Sequence, residues 1–234
     1  MERTQRVVAI IPARGGSKGI PRKNVQPVAG LPLIAHSIRD ALASPLVDRV
    51  IVSTDDEEIA EVSRRHGAEV PFLRPPELAG DFATTESALT HAVEWLEGEE
   101  GYRVDIVVFL QPTDLFRDPG WITEAVRLLL EDPDLESAFV GYATHKNYWT
   151  VRDERPTKVS HRGYGPRQKK APVYREDTGL ACATRAALVR AGQRVGERVH
   201  IIHTDDFRTS IDIHDPMDLW LAEQVLARWG RPGS

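Results

Sequence analysis

Residues Val7–Asn24 read VVAIIPARGGSKGIPRKN. The first seven, Val7–Ala13, form a continuous apolar run, as expected of a strand buried on both faces of a parallel sheet. The chain then passes Gly15 and Gly16 and gathers positive charge at Arg14, Lys18, Arg22 and Lys23. A buried strand that empties into a glycine-rich basic turn places that turn at the carboxyl edge of a sheet, where open α/β folds bind their ligands.

The rest of the chain decides whether such a sheet exists. Leu31–Ser44 has helical spacing, with Leu33, Ile34, Ile38 and Leu42 on one face. Arg49–Thr54 (RVIVST) reads as a second strand, and Asp55–His66 as a helix whose acidic start suits the helix dipole. Gly67 is a stop signal. Glu69–Leu73 reads as a short third strand, Thr84–Leu96 as a helix started by Thr84 or Thr85, and Asp105–Leu110 (DIVVFL) as a buried strand. Asp118–Leu130 is helical, with a possible cap at Asp118 and Pro119 in its first turn. Ser137–Tyr142, Gly179–Ala183 and Val199–His203 read as strands, Arg185–Ala191 and Pro216–Trp229 as helices. This alternation predicts one α/β domain over residues 1–234, a doubly wound, mostly parallel sheet with helices on both faces.

The alternation lapses in a segment at about 143–178, which is aromatic, basic and without period. Tyr148, Trp149, Val151, Tyr164 and Tyr174 need burial somewhere, so the segment reads as an insertion, either a lid or an arm that packs on another subunit. Its Lys146, Lys158, Arg162, Arg167, Lys169, Lys170 and Arg175 suit an anionic partner or a solvated basic face.

Bulk properties narrow the function. The 234 residues carry a net charge of −5, so broad nucleic-acid binding is not expected and any anion site must be local. No apolar stretch is long enough for a bilayer, and no signal peptide is expected. Cys182 is the only cysteine, which fits a reducing, cytoplasmic setting and a small core residue.

The turn itself has a chemistry. Glycine lets backbone N–H groups approach a ligand, and successive N–H groups form an anion nest. Ser17 adds a hydroxyl, and Arg14, Lys18 and Lys23 add three charges, a combination suited to a triphosphate. The Gly-Lys-Ser/Thr of a Walker loop is absent. The plainer alternative, a solvated basic turn, is disfavoured by the buried strand before it.

With these residues in view, IIPARGGSKGIPRKN resembles the signature of the CMP-sialic acid synthetase family, cytidylyltransferases that activate acidic sugars. The likeness continues through the block from Val47 to Leu96, through VVFLQPTDLFR, PRQ and SIDIHDPMDLWLAE. It implies a Rossmann-like fold with a dimerisation insertion, and transfer of CMP from CTP to an acid sugar's hydroxyl with release of pyrophosphate. By position in the motifs, Arg14, Ser17, Lys18 and Lys23 are expected on the triphosphate. Ala13 and Gly15 are expected to offer backbone near the nucleotide, Asn24 to lie beside the ribose, and Arg74 and Thr84 near the cytosine and ribose. Gln111, Arg167 and Gln168 are expected on the acceptor. Mg²⁺ is the expected ion, with Asp212 as its best protein ligand.

Three positions depart from the family's pattern. Its Asp-x-Asp metal site here reads DIH, Asp212 followed by His214. Either Asp212 suffices with Asp215 or water, the preferred reading, or His214 favours an ion such as Mn²⁺, or acceptor or activity has changed. His214 as a cap or as a residue behind the ligand is an equal alternative. Asp114 replaces a serine, and could position a sugar hydroxyl, bind metal or make a turn or cap. Asp177 replaces an asparagine beside the expected acceptor pocket. Two other readings of the whole stay open: another small carboxylate or phosphonate as acceptor, and a CTP-binding regulatory protein without turnover. Asp55–Asp56 is read as a helix start, Asp205–Asp206 as a solvent-facing loop pair, and His91 as packing.

Overall fold

The computed structural model describes residues 4–159 and 166–233. The chain builds β1 (Val7–Pro12), a small hairpin of β2 (Pro27–Val28) and β3 (Leu31–Pro32), α1 (Leu33–Ala43), β4 (Arg49–Ser53) and α2 (Glu57–Arg65). Next come α3 (Thr85–Glu99), β5 (Ile106–Phe109), α4 (Gly120–Glu131) and β6 (Ser137–Thr144). A hairpin of β7 (Trp149–Arg152) and β8 (Arg155–Lys158) precedes β9 (Val173–Glu176) and β10 (Cys182–Arg185). The chain closes with α5 (Ala186–Arg190), β11 (Val199–Thr204) and α6 (Pro216–Trp229).

The main sheet runs β11-β6-β10-β5-β1-β4, with β9 paired to β6. β1 lies parallel between β4 and β5. It is buried on both faces, as its apolar run predicts. Val7, Ala9 and Ile11 meet Ile34, Ile38, Ile59 and Ile122 of α1, α2 and α4. Val8 and Ile10 meet Leu89, Val93 and Leu96 of α3. Alternate residues of one strand therefore serve two helical layers. A third cluster, with Ile20, Phe116, Ile213 and Val225, fastens α6 beneath the loops at the carboxyl edge.

The helix starts match their chemistry. Asp56 accepts from the Ile59 N–H and Thr84 from the Ser87 N–H. Asp215 and Asp218 make a capping box, with Pro216 in the first turn. Gly67 follows α2 at φ +95°, the left-handed region that suits glycine.

Four expectations change. Glu69–Leu73 is not a strand but one bridge, Glu69 on Ile51, because Pro71 removes the donor needed to continue. Leu42 stays half-exposed instead of joining the inner face of α1. The strand expected at Gly179–Ala183 begins at Cys182 and runs antiparallel to both β5 and β6. It continues a line begun by β9, which pairs antiparallel with the far end of β6. Between them residues 177–181 leave the ladder, tied to it by Asp177 N–H to Val140 O and Val140 N–H to Ala181 O. Lastly, Tyr148, Trp149, Val151 and Tyr174 are exposed within this chain, not buried; Tyr164 lies outside the described residues.

Candidate active site

The turn after β1 is held by acids that the sequence reading did not assign to it. Gly15 donates its N–H to Asp55 Oδ1 at 3.0 Å, so that amide is committed to the chain rather than offered to a nucleotide. A methyl at Gly15 would stand 2.8 Å from the Asp56 carboxylate. Arg22, at φ +56°, turns outward and pairs with Asp56 and Glu58. At Gly19 a methyl would overlap the His214 carbonyl, so this glycine lets the turn lie directly on the C-terminal segment before α6. Lys23 reinforces that contact by donating Nζ to Ile213 O at 2.7 Å. Burial lowers the Lys23 pKa, and Asp212 nearby opposes the effect.

These contacts open a cleft of about 490 Å³ at the carboxyl ends of β1 and β5. Ala13, Arg14, Ser17, Lys18, Lys23 and Asn24 line its first wall, Asn24 anchored by Nδ2 to Arg14 O. Arg74, Thr84 and Gln111 line the others. Arg74 is buried, and its Nε and Nη2 have no hydrogen-bond partner; Asp55 stands 3.9 Å away. Burial lowers its pKa, with Asp55 opposing. A buried guanidinium in the wall of a cleft, with donors unfilled, is a group suited to an acceptor from outside the chain. One carboxylate occupies the mouth: Asp81 takes Lys18 Nζ at 2.7 Å and Arg14 at 3.4 Å, and Arg14 also reaches Gly80 O.

The wall that carries Gln111 is built on Arg117, fully buried. Its Nη1 reaches Ser37 Oγ at 3.1 Å and Asp40 at 3.0 Å, its Nη2 reaches Gln111 O at 3.1 Å and Gly179 O at 2.8 Å, and its Nε donates to Leu180 O. Arg231 reaches the same Asp40 from the C-terminal tail. This guanidinium clamps the loop after β5 to the crossing at 177–181. Gln111 is oriented further by its N–H to Gly179 O at 2.9 Å and its Nε2 to Thr113 at 2.7 Å.

Asp114 stands beside this clamp. Its carboxyl accepts no hydrogen bond among the described residues; Asp118 takes the Gly120 N–H at 2.8 Å in the turn before α4, whose N-cap is Pro119 with no side-chain cap bond, so the cap expected at Asp118 is not formed. Desolvation, then the charge of Asp212 and further that of Asp177, push Asp114 up to about 7, against Arg117 and Arg175. Asp177 is not a free acid: Arg175 Nε and Nη2 hold it at 2.6 and 2.8 Å.

His214 lines the cleft and Asp212 lies just behind it, with His214 Nε2 2.8 Å from Asp212 Oδ2. Asp212 Oδ1 is buried without a partner. No group of three His, Cys, Asp or Glu side chains among the described residues is arranged to hold a metal unaided. The donor set fits Mg²⁺, which is commonly carried by one or two carboxylates together with substrate phosphates. Arg167 and Gln168 sit in a short 3-10 turn (Arg167–Lys169) in the insertion, and Gln168 does not line the cleft of this chain. Cys182 is buried, its thiol pushed up to about 12, as a core residue should be. His91 packs edge-on against Phe72, and Asp206 caps a turn and pairs with Arg208.

Sequence reasoning missed Asp55, Asp81, Gly19, Gly179 and the role of Arg117. Nothing local marks the two acids, since each acts on a turn at least 40 residues away. Arg117 closes the quoted VVFLQPTDLFR, and an arginine so near a buried strand was the available signal.

Comparison with known proteins gives a consistent result. A family model described as "Cytidylyltransferase" matches residues 8–192. The chain is 30% identical over 226 residues to a CMP-N,N'-diacetyllegionaminic acid synthase of Legionella pneumophila, covering 94% of this chain and 96% of that one. It is 49% identical over 141 residues to a pseudaminic acid cytidylyltransferase of Campylobacter jejuni, where the match spans 60% of this chain and 59% of the relative. A solved structure of CMP:2-keto-3-deoxy-manno-octonic acid synthetase complexed with CTP superposes with TM-score 0.71 over 96% of this chain and 99% of that one. At 18% identity it shows a common fold.

Proposed function

We propose a substrate pair for this chain, which belongs to the cytidylyltransferase family: CMP passes from CTP to a hydroxyl of a nonulosonic acid, an acidic sugar of the sialic, legionaminic or pseudaminic type, and pyrophosphate leaves. The observation that carries the nucleotide half is Arg74, buried in the cleft with two donors unfilled, opposite the cations of the turn after β1. The named relatives, a legionaminic and a pseudaminic acid enzyme, support the acceptor class.

In this reading Arg14, Ser17, Lys18 and Lys23 grip the phosphates, Arg74 and Thr84 address the base and ribose, and Asn24 braces the ribose side. Attack of the sugar oxygen at the α-phosphorus builds negative charge on the non-bridging oxygens and on the departing pyrophosphate. Fixed cations aimed at those oxygens lower the barrier. Lys23 is suited to this because Gly19 and its own bond to Ile213 O hold it in place. Asp212 would hold Mg²⁺, oriented by His214, and when bound the ion neutralises phosphate charge and makes the attacking hydroxyl more acidic. Gln111 orients the acid, with Arg167 and Gln168 approaching from the insertion. A homodimer formed through the exposed β7–β8 hairpin and a cytoplasmic location complete the reading. Among the described residues no helix is long and apolar enough to cross a membrane.

Pyrophosphate release with each of the four nucleoside triphosphates, against a panel of acidic sugars, small carboxylates and phosphonates, tests it. Release is expected with CTP alone, only when a nonulosonic acid is present. Release with another acid class would reassign the acceptor. CTP binding without release under any divalent ion would make the chain a nucleotide-binding protein without turnover.

A further inference from the structure

Asp114 is a polar side chain with no assigned work. It is half-buried and follows directly on Gln111, Pro112 and Thr113, which line the cleft, without itself being part of that lining, and it accepts no hydrogen bond among the described residues. Its place is specific. A methyl at Gly179 would overlap Asp114 Oδ2 and come within 2.8 Å of Gln111 Cβ, so the bare Cα of Gly179 is what lets the carboxyl lie between the loop after β5 and the 177–181 crossing. Both walls of that slot are tied through Arg117, which donates to Gln111 O and Gly179 O, and Asp114 N–H closes the loop on Gln111 O at 3.3 Å. A carboxyl held by a rigid bracket, yet left without partners, is arranged for a donor brought by a ligand.

We propose that Asp114 is a specificity-determining residue for the acceptor: its carboxyl takes a hydrogen bond from a hydroxyl or amide N–H on the body of the acid sugar, away from the reacting hydroxyl, while Gln111 holds the same sugar from the adjacent wall. This rests on the acceptor class given under Proposed function. The other roles open to Asp114 fit less well. The turn that leads into α4 is closed by Asp118, which accepts the Gly120 N–H. The phosphate-binding cations lie on the first wall, with the turn after β1. Sites built to hydrogen-bond a substrate group reject analogues lacking it by large factors, because the buried polar group is then left unpaired.

Two variants test it by different routes. Asp114→Asn keeps the shape and removes the charge; Gly179→Ala keeps the carboxyl and removes its slot. Steady-state pyrophosphate release is measured with CTP and, as probe acids, N-acetylneuraminic acid and N,N'-diacetyllegionaminic acid. For whichever acid the wild type uses, Asp114→Asn is expected to raise KM for the acid at least tenfold with KM for CTP within twofold. Gly179→Ala is expected to reproduce that split, and the double variant to be no worse than the poorer single one. An acid KM within twofold of wild type in Asp114→Asn, or equal rises in both KM values, overturns the proposal even if Gly179→Ala fails to fold. Wild-type protein that releases pyrophosphate with neither of these acids, nor with pseudaminic acid, overturns the acceptor reading and this proposal with it. An active wild type with an unaffected Asp114→Asn overturns the proposal alone.

Discussion

Lys23 is one of the cations that the cleft holds rigidly, its amine fixed on Ile213 O. Lys23→Ala should reduce kcat by roughly two orders of magnitude or more, the scale of losing one transition-state donor. Circular dichroism should show the fold retained, and unchanged turnover would remove Lys23 from the phosphate clamp. Asp114 gives a prediction about stability. Its folded pKa of about 7 lies above the ordinary 3.8, so the native state binds more protons than the unfolded chain between those values. Wild-type stability should therefore fall as pH rises from about 4 to 7, relative to Asp114→Asn. Denaturant melts in EDTA should find the variant more stable at pH 8, by about 4 kcal/mol at most, with no difference at pH 3. At this scale the sequence displayed Arg14, Lys18, Lys23 and Arg74 by their motifs. It did not display which atoms are already occupied: the Gly15 amide taken by Asp55, or the Asp177 carboxylate taken by Arg175. Occupancy is set by partners remote in the chain.

Helices and strands were legible where a local rule governs them. The helix starts at Asp56 and Thr84 follow from side chains that reach an N–H three residues on, whereas Asp215, weighed in the sequence as a metal ligand, turns out to cap α6. The antiparallel return of β10 was not, because an apolar run of five residues carries no direction. Direction is imposed by the insertion, which brings the chain back along β6 from its far end. The loop between the turn at Pro76–Leu78 and α3 behaves as an element of the site, since Asp81 pairs with Lys18 and Arg14. A triphosphate bound as proposed would compete with that carboxylate. Asp81→Asn should lower KM for CTP by roughly two- to fivefold, the size of an exposed ion pair or two, and the gain should shrink in high salt. An unchanged or higher KM would show that Asp81 helps the nucleotide in rather than holding its place.

Over the whole molecule, one buried guanidinium joins three parts of the fold. Arg117 bonds α1, the loop after β5 and the 177–181 crossing at once. Arg117→Met should destabilise by about 3 kcal/mol or more, because buried carbonyls and part of the Asp40 charge lose their donor; a thermal midpoint within a degree of wild type would contradict this. The β7–β8 hairpin leaves Trp149 and Val151 more than half exposed. Sedimentation should find a dimer that Trp149→Asp converts to monomer, and a monomeric wild type would sink the arm reading.

The sequence by itself determined the doubly wound sheet, the carboxyl-edge position of the basic turn, and the cationic side chains that turn brings to the cleft. Periodicity, caps and glycine spacing act over a few residues and can be read along the chain. Only the tertiary structure decided that Asp55 and Asp81 discipline that turn, that Gly179 yields its space to Asp114, and that Arg117 binds the loop after β5 to the 177–181 crossing. Those contacts join residues 40 to 70 positions apart, and which of many similar acids, glycines and arginines meet is settled only when two helical layers close on one sheet.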